Sequence, residues 1–356
     1  MIKSAYIHIP FCKKICSYCD FCKVFYDKKF IGKYLNSLEN EIKNRYKKEY
    51  LDTLYIGGGT PSSLDLDELN KLFKITNLFN LNENYEFTIE FNIEDIDEEK
   101  LKICKDNKVN RISIGVESFN KDNLVFLGRT VSNIESKIKL VKKYFNNINI
   151  DLIYALPNED LTVLKNDLNN ILKLDVNHVS CYSLIIEKHT KLYNDNIKNI
   201  DEDLDFKMYE LINKKLKDFN HYEISNYAKK GYESRHNLTY WNNEEYYGFG
   251  ISAASYIDNK RIYNSKSLNK YLDGDYSYEE EILTMDDKIL YELILGFRKI
   301  NGINIDDFYS KFNIDILSFD NVKKLLKEEK LLMNKEYIFV NPKYLYTENK
   351  ILLEFV

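Results

Sequence analysis

Short apolar runs alternate with longer amphipathic stretches through the first half of the chain. The longer stretches repeat apolar residues at helical spacing, as at Phe30, Leu35, Leu38 and Ile42. This alternation of strand and helix predicts parallel βαβ units, whose sheet can curl into a barrel or partial barrel. Active sites of such folds collect at the carboxyl ends of the strands. The predicted strands cover residues 3–9, 52–57, 86–91, 110–115, 148–153 and 177–184.

The rhythm changes after about residue 190. An amphipathic helix is predicted over 201–218, then a strand over 221–226 and a motif-rich segment to about 258. The tail predicts two or three short helices and a strand pair around 337–340, a pattern that a small winged-helix-like module fits. Such a module can be a packing cap or a partner-binding unit. We therefore predict an α/β fold with a TIM-like partial (β/α)6 barrel over 1–190, a connecting α+β region over 191–283 and a C-terminal module over 284–356.

Composition narrows the function classes. The chain has 356 residues, 44% of them hydrophobic and 30% charged, as in ordinary globular proteins. A net charge of −5 gives no electrostatic support to a nucleic-acid partner. No apolar stretch reaches the ~18 residues of a membrane span, and no signal-peptide pattern opens the sequence. We expect a cytoplasmic protein whose thiols stay reduced.

Three cysteines carry the strongest chemical signal. Cys12, Cys16 and Cys19 have the spacing C-x3-C-x2-C on a short loop directly after the first predicted strand. Three thiolates on such a loop can hold three corners of an iron–sulfur cube and leave the fourth iron open. A zinc knuckle or a set of buried thiols is the alternative. Zinc usually takes two well-separated pairs or a Cys/His mixture, and the sequence has no second, well-separated pair.

The residues around these cysteines resemble a known family. The loop is similar to the cluster loop of radical S-adenosylmethionine (SAM) enzymes, in which the amino acid end of SAM chelates the open iron. Tyr6, His8, Pro10, Asp20 and Phe21 match one branch of that superfamily. The branch contains the oxygen-independent coproporphyrinogen III dehydrogenases and the HemW-type haem chaperones. The resemblance implies a radical SAM barrel, a [4Fe–4S] cluster, bound SAM and a SAM contact from Tyr6.

Two further motifs resemble SAM-binding elements of the family. Gly58, Gly59 and Thr60 lie in a glycine-rich turn after the second predicted strand. Glycines there let the backbone approach a ligand closely, and the resemblance implies contact with the SAM amino group. Glu90 ends the third predicted strand, where an unpaired buried charge would be costly. The resemblance makes Glu90 a SAM contact, and a salt bridge closing the barrel is the alternative.

Three charged residues complete the SAM site that the resemblance implies. Asp151 corresponds to an acid near the SAM ribose. Arg129 has an always-charged guanidinium suited to the SAM carboxylate, with a surface ion pair as the alternative. Glu117 departs from the family, which usually has Gln at this position. An ionised Glu only accepts hydrogen bonds, so its pairing must change even if it still faces SAM.

The remaining cysteines do not extend the cluster motif. The dehydrogenases carry an extra cysteine two residues after the third ligand, where this chain has Phe21. Cys22 is out of register with that position, and we interpret it as a bystander thiol. Cys104 and Cys181 are interpreted as small buried hydrophobes.

A second motif implies haem. Residues 235–241 match the His-Asn-x-x-Tyr-Trp motif of the HemW-type chaperones. His236 and Tyr240 are four apart and would share one helix face. Imidazole can ligate haem iron and aromatic rings can pack on the macrocycle, whereas a hydrogen-bonded histidine in a domain junction is the alternative. The family continues with a further histidine, which Ala254 replaces here.

These motifs favour one function among three. The chaperone is favoured by the haem motif, by the missing fourth cysteine and by a start only a few residues before the cluster strand, without the dehydrogenases' N-terminal extension. The expected partners are haem, haem-accepting proteins, with a membrane-associated acceptor as one option, and a low-potential electron donor. The alternatives are a coproporphyrinogen III dehydrogenase and a radical SAM enzyme with an unrelated substrate. Chaperone function is therefore favoured over coproporphyrinogen dehydrogenase activity.

Overall fold

A large sheet organises the first two-thirds of the molecule. The structure is a computed structural model that describes residues 1–129, 133–276 and 278–356. The strands are β1 Ser4–Ile9, β2 Phe11–Cys12, β3 Val24–Phe25, β4 Tyr50–Gly58, β5 Asn80–Asn92, β6 Arg111–Glu117, β7 Asn147–Tyr154, β8 His178–Ser183, β9 Asn220–Glu223, β10 Asn226–Ala228, β11 Tyr247–Phe249, β12 Ala254–Ile257, β13 Lys260–Asn264, β14 Tyr278–Ile282, β15 Ile303–Asn304, β16 Leu331–Met333 and β17 Tyr337–Val340.

Helices follow most strands of this sheet, and many begin at a capping side chain. Asp65 and Glu68 form a reciprocal capping box at the start of the second helix. No helix in the described part of the chain is long and apolar enough to cross a membrane. The α-helices are α1 Lys28–Arg45, α2 Leu66–Thr76, α3 Glu98–Asp106, α4 Lys121–Phe126, α5 Ile134–Lys142, α6 Leu161–Leu174, α7 Lys191–Asn194, α8 Glu202–Lys215, α9 Arg235–Trp241, α10 Leu268–Leu272, α11 Met285–Gly296, α12 Ile305–Phe312, α13 Asp320–Lys327 and α14 Glu348–Leu352.

The predicted parallel sheet is confirmed. Strands β1, β4, β5, β6, β7 and β8 are neighbours in that order, and each adjacent pair is parallel. The sheet is longer than predicted, because β11 adds parallel to β1 while β10 and β9 add antiparallel beyond β8. Among the described residues β11 and β9 remain its two edges, so the barrel is partial. All carboxyl ends of the six parallel strands therefore open towards the same side.

The C-terminal tail forms its own layer of helices and strands. Its elements follow the order α11, β15, α12, α13, β16, β17, and the last two strands form the predicted antiparallel pair. Phe297, Phe308, Val322 and Ile338 belong to a buried cluster separate from the barrel core. This order suits the winged-helix-like prediction, while the domain boundaries at 190 and 283 stay a prediction.

Candidate functional site at the carboxyl ends of the parallel strands

The cysteine loop is closed at its base by a short parallel pair. Strand β2 pairs with β3, and the Val24 and Tyr26 amides donate to Pro10 O and Cys12 O at 2.9 Å each. The loop is also anchored at its middle, where the Ser17 amide donates to Leu127 O at 3.1 Å. These bonds fix the loop directly above the end of β1, where the fold places active sites.

The three thiols sit at the wall of one cavity. Cys12 is buried, and Cys16 and Cys19 are partly exposed. The Thr60 hydroxyl donates to Cys12 Sγ at 3.3 Å. Burial raises the pKa of Cys12 to about 11 and also raises the pKa of Cys16 and Cys19. The thiols are therefore protonated in the free protein, and binding iron would release protons.

This donor set fits a cube with one open iron. Within the part of the chain that the structure describes, no three His, Cys, Asp or Glu side chains converge on a single ion. A [4Fe–4S] cube takes its cysteines on different irons, so the three thiols need not converge on one point. Cys12, Cys16 and Cys19 would hold three irons, and the fourth would face the cavity.

The cavity gathers most of the predicted SAM contacts. Its volume is about 470 Å³, in the range of small-molecule sites. The predicted site residues that line it are Cys12, Cys16, Cys19, Gly58, Gly59, Thr60, Glu90, Glu117, Arg129 and Asp151.

The turn at the end of β4 requires glycines because it packs closely against the end of β1 and the start of the cysteine loop. A Cβ at Gly59 would lie 2.5 Å from Pro10 O, and one at Gly58 would lie 2.6 Å from His8 Nδ1. Gly58 also has φ of +116°, a conformation that favours glycine. Internal close packing accounts for both glycines, and the same absence of side chains leaves their backbone facing the cavity.

Glu90 is held by hydrogen bonds. The Tyr55 hydroxyl donates to Glu90 Oε1 at 2.8 Å, and the Gly58 amide donates to Oε2 at 3.1 Å. Burial raises the pKa of Glu90 to about 7; the Tyr55 bond opposes this rise and nearby Asp151 adds to it. Of the described cations, none forms a salt bridge with Glu90 at 4 Å or less, so the barrel-closing ion pair is absent in this part of the chain.

Glu117 and Arg129 face each other across the cavity wall. Arg129 Nη2 lies 2.7 Å from Glu117 Oε1, and Nη1 lies 3.2 Å from Glu94 Oε2. The guanidinium also donates to Gly115 O at 3.0 Å. Burial raises the pKa of Glu117, and the charge of Arg129 opposes that rise. Glu117, which stands where the family has Gln, is therefore paired with Arg129. Arg129 is the cation that the resemblance assigns to the SAM carboxylate.

Asp151 lies at the end of a buried polar chain that sequence reasoning missed. Asn149 Nδ2 donates to Asp151 Oδ1 at 2.8 Å, and Asn149 Oδ1 lies 2.6 Å from His178 Nδ1. His178 Nε2 is bonded to the Tyr222 hydroxyl at 2.8 Å. The spacing of Asn149 and Asp151 by two residues, on one face of a strand, is the sequence signal that could have found this contact.

Tyr6, His236 and Tyr240 do not line the cavity formed by the described residues. They lie beneath it, where the Tyr55 ring stacks on His236 with centroids 5.0 Å apart. His236 is 1% exposed, and its Nδ1 and Nε2 are bonded to Thr53 Oγ1 at 2.7 Å and Tyr240 Oη at 2.8 Å. Burial lowers the pKa of His236 to about 3, so the ring stays neutral.

The haem contact from His236 stays a prediction, and it requires that one ring nitrogen of His236 be released from its hydrogen bond. A haem iron needs a free ring nitrogen, and both are hydrogen-bonded in this structure. Helix α9 would have to release one of these bonds. His236 and Tyr240 share one face of α9, as predicted, and a 2.8 Å hydrogen bond joins their side chains.

The parallel sheet, the three-cysteine loop after its first strand and the glycine turn after its second define a radical SAM-type protein. Residues 6–169 match the family model of the Radical SAM superfamily. The chain is 40% identical over 343 residues to the haem chaperone HemW of Lactococcus lactis, covering 92% of this chain and 90% of that one. It is 39% identical to the haem chaperone HemW of Bacillus subtilis, covering 93% of each. The chain belongs to the HemW family of the radical SAM superfamily.

A solved structure supports the fold alone. Coproporphyrinogen III oxidase (HemN) from Escherichia coli, a radical SAM enzyme, superposes with a TM-score of 0.86 at 22% identity. The match covers 99% of this chain and 90% of HemN. The predicted barrel and its C-terminal region are thereby confirmed as one HemN-like architecture, which chaperone and oxidase share.

Proposed function

We propose that this protein binds a [4Fe–4S] cluster, SAM and haem, and hands haem to acceptor proteins. The observation that carries the proposal is the 40% identity to a haem chaperone HemW over nine-tenths of both chains. The cavity that gathers the cysteine loop with buried acids supports the cluster and SAM. A cytoplasmic setting is supported by the six cysteines, all of them free thiols.

The chain's own residues have distinct tasks around SAM. Membership of the radical SAM superfamily implies the cluster, which when reduced supplies an electron for SAM cleavage, and hence a low-potential donor. Gly58, Gly59 and Thr60 contact the SAM amino group. Glu90, fixed by Tyr55 and Gly58, is a further SAM contact. Asp151, fixed by Asn149, is positioned to accept from the ribose hydroxyls. Arg129 is the cation for the SAM carboxylate, in competition with Glu117.

Haem is the cargo in this proposal. Its acceptors are haem-accepting proteins, with a membrane-associated one as an option. His236 and Tyr240 serve as haem contacts only if α9 opens, because both ring nitrogens of His236 are bonded. The coproporphyrinogen III dehydrogenase alternative shares the fold, so the fold does not separate the two functions.

Haem titration tests the proposal. The anaerobically reconstituted protein is titrated with haem while the Soret band is followed, and the complex is then mixed with an apo haem protein. We expect saturable binding and transfer of the Soret signal to the acceptor. A protein that shows no saturable Soret change and transfers no haem would contradict the function.

A further inference from the structure

The loops that follow the first and the last of the six predicted parallel strands both line the cavity. The cysteine loop follows β1, and residues 184–187 follow β8, the strand at the other end of the parallel run. The Leu192 amide donates to Ser17 O at 3.1 Å, which ties the two segments together. Tyr18 packs on a small apolar cluster that includes Leu184 and Leu192. The two walls of this cleft therefore come from the loops after β1 and β8, which lie on either side of the other four parallel strands.

Both walls of this cleft carry exposed apolar side chains. Phe21 on the cysteine loop and Ile185 after β8 are each 65% exposed, and Tyr182 is 42% exposed. All three line the same cavity as the three cysteines. Apolar surface left in water is unfavourable, and grouped exposed patches usually mark ligand or partner sites. The cavity of about 470 Å³ that would take SAM lies behind these exposed side chains, so a second ligand that packs on them would cover its opening.

The charges at the mouth restrict the occupant. Lys14 and Lys23 of the cysteine loop line the cavity together with Asp20 and Glu187. Lys23 Nζ donates to Cys19 O at 2.5 Å and to Phe21 O at 3.2 Å, which holds its ammonium next to Phe21. The buried acids and thiols deeper in the cavity suit SAM and the cluster, which are polar. Haem differs from both, because it combines a flat apolar macrocycle with two anionic propionates on one edge. Apolar walls with lysines at the rim match that combination.

We propose that haem docks at this cleft, with its macrocycle between Phe21 and Ile185 and its propionates at Lys14 and Lys23. The inference rests on the proposed haem function and names its site. It also gives Phe21 a role, since this residue stands where the dehydrogenases carry their extra cysteine. The cargo then lies beside the SAM pocket, so that occupancy of the cluster and SAM can affect haem directly.

Surface variants test the site with little risk to the fold. The double variant Phe21→Ser/Ile185→Ser removes both apolar walls, and Phe25→Ser is its matched control. Phe25 is 68% exposed and belongs to the same region of the chain, but it is not among the residues that line the cavity. Haem affinity is measured by Soret titration, with iron content and SAM binding as readouts of the rest of the site. We expect at least a tenfold loss of haem affinity in the double variant and less than a twofold change in Phe25→Ser, with iron and SAM unchanged.

A charge test addresses the propionates. Haem dimethyl ester lacks the propionate charges, so wild-type protein should prefer haem to the ester, and Lys14→Ala should reduce that preference. Wild-type haem affinity in the double variant would overturn the site, as would loss of haem binding in His236→Ala alone, which would place haem at α9. If wild-type protein itself binds no haem, the proposed function fails along with the site.

Discussion

Glu117 and Arg129 form a buried ion pair, with 2.7 Å between Oε1 and Nη2, at the wall of the cavity that holds the cysteine loop. Glu117 also has φ of +69° at an irregularity in the pairing of β6 with β7, which turns its side chain out of the regular ladder. A guanidinium engaged in this way is less available to a ligand carboxylate. The departure from the family's Gln therefore bears on SAM affinity.

Glu117→Gln should tighten SAM binding by about three- to tenfold. The substitution removes one negative charge beside Arg129, and charge–charge energies near a protein surface reach about 4 kcal/mol at 4 Å before desolvation offsets them. Anaerobic equilibrium dialysis with reconstituted protein measures the change. Glu94→Gln is the control, because Glu94 is the more solvent-exposed partner of Arg129 and should matter less. Weaker SAM binding in Glu117→Gln would show that Glu117 itself contacts SAM.

Tyr55→Phe should weaken SAM binding by about tenfold, because hydrogen bonds to charged groups contribute about 1.5–3 kcal/mol. Loss of the donor raises the pKa of Glu90 beyond its value of about 7, so less carboxylate is available near neutral pH. SAM affinity should rise with pH as Glu90 ionises, and the midpoint should move upward in the variant. Tyr276→Phe is the control, because its hydroxyl donates to Ser37 O and neither residue lines the cavity. Equal effects of the two substitutions on the pH profile would contradict this role of Tyr55.

Anaerobic reconstitution should give about four irons per chain, as a cube requires. Replacing Cys12, Cys16 or Cys19 by Ala should abolish the cluster, since each would hold a separate iron. Cys22→Ala is the control and should keep it. Iron analysis together with the visible absorption spectrum measures both. Retention in Cys19→Ala with loss in Cys22→Ala would move the third ligand to Cys22.

The junction with the C-terminal module should lose stability as pH rises. Burial raises the pKa of Glu348 to about 8 and that of Glu223 to about 7, and Arg298 opposes both shifts. The ordinary pKa of a glutamate carboxyl is 4.5. The folded protein keeps protons that the unfolded chain has released between about pH 4.5 and 8, so the free energy of unfolding falls over that range.

Calorimetry at pH 6 and pH 8.5 measures the Tm, which should fall between these two pH values. Glu348→Gln should reduce the fall in Tm by several degrees, since about 1 kcal/mol corresponds to roughly 2–4 °C in chains of a few hundred residues. Glu354→Gln, which removes a half-buried acid of the same module that is paired with Lys324, should leave the fall unchanged, because burial does not raise its pKa into this range. A Tm of the unmodified protein that rises between pH 6 and pH 8.5, relative to that of Glu348→Gln, would contradict the raised pKa of Glu348.

The parallel strands were predictable because their apolar runs are local signals. β1 and β8 are observed as Ser4–Ile9 and His178–Ser183 against predicted 3–9 and 177–184. β5 begins at Asn80, six residues before its apolar run, because its polar first half pairs with Tyr50 and Leu51. Strand β11 has only three residues and exists through its pairing with β1. Such pairings have no local sequence pattern.

The site residues that belong to sequence motifs were predictable, whereas hydrogen-bond partners far apart along the chain were not. The cysteine loop and the acids at the strand ends were located from sequence, and the structure brings them to one cavity. Thr53, which binds His236 Nδ1, lies 183 residues away along the chain. His178 and Tyr222 are separated by 44 residues. Only the folded barrel reveals that these polar groups satisfy one another.

In the proposed function the chain carries haem rather than oxidising a porphyrinogen. One anaerobically reconstituted preparation is divided, and haem binding with transfer to an apo haem protein is measured in one half. The other half receives coproporphyrinogen III, SAM and a strong reductant, and the decarboxylated product is followed by its fluorescence after oxidation. We predict saturable haem binding and transfer with no product. Product formation near ~1 per second, a low ordinary enzyme rate, without haem binding would contradict the account.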